Sequence, residues 1–549
     1  MMNQTVLRSL YPSLLLLAAA CYSQAQTPAA GPAQPSTAPA SAPVASRPGT
    51  SPLPAPLRDA LELVRKGKFA EAESAYKAIL QTNPKSALAY VGLTRLYLEQ
   101  DRVIDADGAV SKATSLTSTS DAVRVAKGEV LFRQGHIPEA QDQFTPLVKN
   151  NTQEARAYLG LGTIYWAQSY YRHAKLMFDK AYERDPDDPE IRSRWLFTEA
   201  RVESTPAGTG SPSGAKGDAG DLDRFRMRVV PADETVDEPN KGCRLVSNVS
   251  ESHQSLEKLL YSGQRVRGYG LKVQIGAAKG TLLLDTGASG ILIKRKLAEK
   301  AGIQSIFKVG IGGIGDKGAA RGHVGIPDSI KIGNLEFQGC VVSVDDTNSS
   351  VVEDGLIGAD LFNHFLVDIN FPDQKFDLTP LPPLPAPLDV EKNLIAKYPK
   401  IARFHDRIIP PEFKSFTPIY RFGHMLLIPT RINELPSKLF LIDTGAFSDT
   451  ISPAAAKEVT KVHSEDDFSV KGLSGSVKHV YTADEVTLTF SRFKQPASDI
   501  ISFDTTGQSR GAGTEVSGFL GFAMFYQMDI KIDYRDGLVD FNYDPNRLY

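Results

Sequence analysis

The stretch LFLIDTGAFSDT, Leu439 to Thr450, sets an aspartate behind four apolar residues and follows it with Thr-Gly. A charge at the end of a buried strand is costly. The chain does this twice, because TLLLDTGASGIL, Thr281 to Leu292, lies upstream. Asp285 and Asp443 are therefore either polar residues in two similar turns or two halves of one site.

The surroundings favour two halves. Beyond the Gly/Ser/Pro linker that ends at Asp221 the texture is β, with short runs such as GLKVQIG, TLLLD, CVVSV and DEVTLTF broken by Gly, Asn and Asp. TPLPPLPAPL, Thr379 to Leu388, cuts this region into two pieces that repeat each other. Gly355 pairs with Gly518, Gly358 with Gly521, Phe362 with Phe525 and Ile369 with Ile532, all 163 apart, while the aspartates are 158 apart. Each piece reads as apolar strand, Asp-Thr-Gly, short helix, Gly-rich hairpin, apolar-apolar-Gly and closing strands. Ser452 makes a good N-cap for the second short helix, with Pro453 at its first position.

Asp-Thr-Gly after an apolar strand, with LIG or FLG about 75 residues on, resembles the pepsin-like and retroviral-type aspartic proteases across both pieces. Ala288 and Ala446, following the glycines, resemble the retroviral branch; pepsin-like enzymes usually carry Ser or Thr there. The missing hydroxyls point to a dyad shifted less toward acid. The resemblance implies a bilobal all-β unit with Asp285 and Asp443 as the catalytic pair. It implies that Thr286 and Thr444 cross-link the lobes beneath them, and that Gly358 and Gly521 pack where a loop passes behind each active turn. Gly287 and Gly445 let the two backbones approach. The chemistry asks for two carboxyls. One takes a proton from water while the other protonates the carbonyl oxygen. Two close carboxylates cannot both ionise easily, so they share a proton and titrate as a pair. No cofactor and no metal is called for.

Two further motifs compete for attention. GIGGIG, Gly310 to Gly315, matches a dinucleotide fingerprint, but that must open a helix, and the Gly-rich DKGAARGHVG follows it. In the protease reading it is a flap that closes over substrate, with Gly312, Gly313 and Ile314 at its tip. The second piece offers KGLSGSVKH, with Gly472 and Leu473, at the equivalent place. GQSRG, Gly507 to Gly511, matches a nucleophile elbow, but the surroundings read as a loop rather than strand-turn-helix. The nine histidines lack metal-ligand spacing. His323 and His479, near the flaps, are read as ordinary hairpin positions.

The N-terminal half has a different period. Ala72, Ala106, Ala140 and Ala174 are 34 apart, and so are Tyr76, Val110, Phe144 and Phe178, and Leu63, Tyr97, Leu131 and Tyr165. A small residue where two helices cross, with large apolar ones a turn on, is what stacked helix pairs need. The region resembles tetratricopeptide repeats over 57–203, with EIRSRWLFTEARV as a capping helix. Such arrays usually bind a protein partner in a groove; a plain spacer solenoid is the alternative.

Arg8 precedes LLLLAAACYSQAQ, which reads as a secretory signal over residues 1–25. Cleavage near Ala25 or lipid attachment at Cys21 both fit, and the mature chain, with no later membrane span, is expected outside the cytoplasm, periplasmic or secreted. A Pro/Ala/Ser spacer (26–56) and a Gly/Ser/Pro linker (204–222) flank the helical repeats. The first protease lobe is then expected over 223–380, an inter-lobe linker over 381–400 and the second lobe over 401–549. Cys243 and Cys340 could form a disulfide in an oxidising compartment; two separate buried thiols are the favoured alternative. A net charge of −2 gives no footprint for nucleic acid.

These readings add up to an exported aspartic endopeptidase acting on a protein or peptide substrate, monomeric with its dyad inside one chain. Two rivals stand beside it: a peptide-binding scaffold that keeps the fold without cleaving, and a dimer whose lobes pair between chains.

Overall fold

A 34-residue step stacks helix pairs only if every pair turns in the same way, and the backbone does so. The computed structural model describes residues 53–203, 243–261, 265–347, 354–464 and 469–546, together with the short strands Leu14–Leu16 and Ser23–Gln24. The processing site, Cys21, nearly all of the Pro/Ala/Ser spacer and residues 204–242 lie outside the described residues.

The helical part comprises α1 (Ala55–Arg65), α2 (Phe69–Thr82), α3 (Ala87–Glu99), α4 (Val103–Leu116), α5 (Asp121–Arg133), α6 (Ile137–Lys149), α7 (Ala155–Ala167), α8 (Tyr171–Arg184) and α9 (Pro189–Glu203). The turn inside each of the four pairs holds one left-handed residue at the same place. These are Gly67, Asp101, Gly135 and Ser169, with φ of 72°, 58°, 78° and 61°. Glycine adopts this conformation without a Cβ penalty. The four crossing alanines are fully buried. Tyr76, Phe144 and Phe178 wedge against glycines of neighbouring helices, where a Cβ at Gly92, Gly160 or Gly162 would come within 2.2, 2.5 and 2.8 Å of the ring. Helix α1 begins two residues ahead of the expected Leu57, since Pro56 is tolerated in a first turn.

Beyond Cys243 the chain forms two β units of one plan. In the first, the strand Ala278–Asp285 lies between Arg265–Ile275 and Gly355–Gly358, and Gly355–Gly358 is followed in the sheet by Ile291–Lys294. In the second, Lys438–Asp443 lies between Met425–Ile432 and Gly518–Gly521, followed by Thr450–Ile451. The central pairings are parallel, with Asp285 opposite Gly358 and Asp443 opposite Gly521. Strands covered on both faces read as unbroken apolar runs, which is why LLLD and LFLID carry no alternation. A six-stranded sheet joins the units through Phe365–Asn370, antiparallel to Met528–Asp533. Ile369, Ile530 and Ile532 are fully buried in that sheet.

Three expectations are corrected. Residues 381–400 are not a plain linker: they hold the helix Asp389–Lys397, favoured by Asp389 and Glu391 in its first turn. Gly507–Gly511 lies in the helix Thr506–Ala512, which closes on Gly513 at φ 73°, so the Gly/Ser/Thr composition hid a helix. Cys243 and Cys340 are joined as a disulfide; the fold brings the start of the first β unit to the strand preceding Val342 across 97 residues of sequence.

The helical array docks on the second β unit through its intra-pair turns. Arg510 reaches Asp101 at 3.0 Å, the Glu515 N–H donates to the Arg133 carbonyl at 3.0 Å, and the Ser169 hydroxyl sits against Gly537. The connector between the units supplies His405 and Asp406. The His405 carbonyl accepts the Tyr171 N–H, and the Asp406 carboxylate accepts the backbone N–H of Arg172 and His173. One apolar core runs through the contact, with Phe132 edge-on to Phe422 at 6.2 Å. Phe132→Ala should therefore lower stability by about 3 kcal/mol, the usual loss for a buried ring. In calorimetry the array should then melt ahead of the β units; a single unshifted transition would refute the shared core.

Candidate active site

Each Asp-Thr-Gly turn crosses from one β unit to the other. The Thr286 hydroxyl donates to the Ile442 carbonyl at 2.8 Å and accepts the Thr444 N–H at 3.0 Å. The Thr444 hydroxyl donates to the Leu284 carbonyl at 2.9 Å and accepts the Thr286 N–H at 3.1 Å. Four reciprocal bonds, all buried, thus tie the two turns together within one chain.

Above this lattice Asp285 and Asp443 are fully buried. Oδ1 of Asp285 accepts the Gly287 N–H at 2.8 Å; Oδ1 of Asp443 accepts the N–H groups of Gly445 and Ala446 at 3.0 and 2.9 Å. Each carboxyl lies over the other turn's glycine. A Cβ on Gly287 would stand 2.7 Å from the Asp443 carboxyl carbon, and one on Gly445 would stand 2.4 Å from that of Asp285. Only glycine fits at either place. Among the described residues neither Oδ2 receives a donor from the backbone or from a basic or neutral side chain; instead the two acids interact with each other. Burial pushes the Asp285 carboxyl up to about 6, and burial together with the Asp285 charge pushes Asp443 well above the usual carboxylate range. One proton on the pair relieves the repulsion.

Gly358 and Gly521 close the turns from behind, and each abuts a carbonyl. A Cβ on Gly358 would meet the Ala288 oxygen at 2.6 Å, and one on Gly521 the Ser448 oxygen at 2.6 Å. The polar wiring there differs between the units. The Gly358 N–H donates to the Gly290 carbonyl at 2.7 Å, whereas the Gly521 N–H donates to the Asp449 carboxylate at 2.8 Å. Asp449 is half-buried, and desolvation pushes its carboxyl up to about 7. On the other side, Asp360 accepts from the Ser289 hydroxyl and the Gly290 N–H at 3.0 and 3.1 Å. His424, from the second unit, hydrogen-bonds the backbone of Gly287 and feels the Asp360 charge, while burial holds its imidazole below the usual range. Ser289, Asp360, His424 and Asp449 went unnoticed in the sequence. Asp360 and Asp449 did carry a signal, standing two residues after LIG and six after Asp443; His424 carried none.

The two glycine-rich hairpins meet over the turns. The first hairpin is made by Phe307–Ile311 and Ala320–Gly325, the second by Ser469–Gly472 and Gly475–Ser476. Gly312, Gly313 and Ile314 lie in the first tip, Gly472 and Leu473 at the second. The Ser474 N–H donates to the Ile314 carbonyl at 3.0 Å and the Lys317 N–H to the Ser474 carbonyl at 2.9 Å. Asp316 adds an acceptor for the Lys478 N–H at 2.6 Å. Ile314 is buried in the core of the second unit and Leu473 against the wall of the first, so each tip packs across the gap. His323 is held on its hairpin strand by Asp346 at 2.9 Å.

Comparison with known families matches an aspartyl protease model to residues 271–361 and tetratricopeptide-repeat models to residues 63–114 and 125–189. Among curated proteins the chain is 25% identical over 129 residues to human tetratricopeptide repeat protein 6, covering 24% of this chain and 25% of that one. It is 30% identical over 132 residues to human protein O-mannosyl-transferase TMTC1, covering 24% and 15%. Mouse DnaJ homolog subfamily C member 3 is 28% identical over 93 residues, covering 17% and 18%. The chain thus spans a quarter or less of the length of these relatives. Among solved structures, Pseudomonas aeruginosa pilF (21% identity, TM-score 0.22) is matched over 27% of this chain and 68% of that one. A Thermus thermophilus tetratricopeptide-repeat protein (22% identity, TM-score 0.23) is matched over 27% and 81%. The chain carries tetratricopeptide repeats and a unit of the aspartyl protease family.

Thr444→Val removes one buried donor to the Leu284 carbonyl and one acceptor of the Thr286 N–H. The expected loss is about 2–6 kcal/mol in urea unfolding, at about 1–3 kcal/mol for each of the two groups left unsatisfied. A Gly445→Ala variant should force the carboxyls apart, readable as a shift of the Asp285 resonance toward an ordinary aspartate. Unchanged stability in the first, or an unmoved resonance in the second, would contradict the packing described.

Proposed function

We propose that the protein is an aspartic endopeptidase whose catalytic pair, Asp285 and Asp443, lies within one chain, in two retropepsin-like lobes forming a pepsin-like bilobal unit. The observation that carries this reading is the reciprocal threonine lattice, because it holds two buried acids against each other with no basic side chain among the described residues paired to either. A pair in that setting keeps one proton. Its ionised member takes a proton from a water that attacks the scissile carbonyl carbon, and its protonated member gives one to the carbonyl oxygen. Collapse of the tetrahedral intermediate then breaks the C–N bond, with a proton passed to the leaving amine.

Gly287, Gly445, Gly358 and Gly521 act as support, and the tips around Ile314 and Leu473 as paired flaps that must part to admit an extended peptide. The sequence-level signal at the N-terminus supports export, with a lipid anchor at Cys21 as one route. The helical array supports recruitment of a protein partner.

Cleavage of a peptide library should be abolished by Asp285→Asn and by Asp443→Asn alike. Mixing the two inactive variants should restore nothing, since recovery would require sites formed between chains; a folded variant that keeps near-full activity would rule out the shared pair. The acid limb of kcat/KM should fall near pH 6. Below that value the second proton binds and no ionised carboxyl remains to act as base. A limb near pH 3 would contradict the desolvated pair.

A further inference from the structure

The helical array contains its own template for a ligand. At the junction of the first two helix pairs, Tyr97 fills the groove between α2 and α3 and is only 7% exposed. Its hydroxyl donates to Glu73 at 3.2 Å, and the Arg102 guanidinium lies 4.2 Å from its ring centre. At the junction of the last two pairs, Tyr165 stands at the same step, with the rings of Tyr170 and His173 at 6.3 and 5.6 Å. At the middle junction, between α4 and α5, the residue at that step is Leu131. The buried Leu93 and Leu161 of the neighbouring pairs also give way there to Lys127, which is exposed.

An open cavity of about 340 Å³ remains at this junction. Its floor is Val110 and Val130, buried to 4% and 1% exposure. Leu131 and Thr114 line it, and Asp107 and Lys127 stand at its edge. Asp107 follows Glu73 by 34 residues, the repeat step. Neither Asp107 nor Lys127 takes part in an ion pair among the described residues, while Glu73 at the equivalent place is bridged by Lys77 and Arg102. The middle junction therefore keeps the acid that receives a phenol elsewhere in the array, and lacks the phenol.

We infer that this cavity binds a tyrosine side chain of a protein partner, replacing from outside the ring that Tyr97 and Tyr165 supply from within. The ring lies on Val110, Val130 and Leu131, its hydroxyl donates to the Asp107 carboxylate, and the Lys127 ammonium sits beside the π face. The inference rests on the recruitment role proposed for the array and gives that role a residue type.

The test uses the full chain with labelled Val and Leu methyl groups and N-acetyl-tyrosinamide as probe. Saturable shifts are expected at the methyls of Val110, Val130 and Leu131. N-acetyl-phenylalaninamide should bind about tenfold more weakly, for want of one charge-assisted hydrogen bond, and Asp107→Ala should erase that difference. Leu131→Tyr should abolish binding by restoring the ring of the neighbouring junctions. If that variant does not fold, Lys127→Leu, matching Leu93 and Leu161, should weaken binding instead. No saturation up to the solubility limit, equal binding of the two probes, or shifts that survive Leu131→Tyr would overturn the inference. Cleavage of a short peptide lacking tyrosine, measured on the same preparations, should be unchanged by Leu131→Tyr. Absence of cleavage by the unmodified protein would count against the endopeptidase reading while the methyl shifts still decide the cavity.

Discussion

Two acids buried face to face are the feature on which the β half depends. A carboxyl out of water is disfavoured when ionised, and two together more so. Among the described residues neither Asp285 nor Asp443 has an ion pair with a basic side chain, so the pair must be held by force of structure. The crossed threonine bonds do this. Each hydroxyl both donates and accepts, so neither turn can move without breaking bonds of the other. The apolar strands behind the turns, the glycines that leave room for the opposite carboxyl, and the six-stranded sheet below all serve that closure.

The duplicated plan was legible because it is written locally. Apolar runs before Asp-Thr-Gly, and the glycines 163 residues apart, reflect strands covered on both faces and contacts too tight for a Cβ. The 34-residue period was legible for the same reason, since each alanine marks a helix crossing. What escaped is long-range. His424 reads as one residue in a turn, and only the fold brings it to Gly287 of the other unit. The docking of the array on the second unit uses backbone groups and turn residues, which leave no pattern in composition. The helix at Thr506–Ala512 was missed because its glycines and serines have weak helical preference, and tertiary packing overrode it.

The two units are copies in backbone and not in polar detail. A carbonyl, Gly290, meets the glycine behind the first turn, and a carboxylate, Asp449, meets the glycine behind the second. Among the described residues, Asp360 does on the first side what no acid does on the second. Such divergence is what separates a chain holding both halves from a symmetric pair of identical subunits, where each change would appear twice. It also gives the halves different polar surroundings around a common centre, since burial raises the Asp449 carboxyl and Asp360 faces His424.

Solenoids of stacked helix pairs behave as springs, because each pair touches only its neighbours. Here the left-handed turns at Asp101, Gly135 and Ser169 are fastened to a rigid β unit, and the turn at Gly67 belongs to the pair farthest from it. Three coils of the spring are thus clamped to a plate, and the first is tied back to the fourth, where Arg65 meets Asp185 at 2.6 Å. Any surface on the second to fourth pairs is thus presented with a fixed pitch and a fixed bearing on the two Asp-Thr-Gly turns.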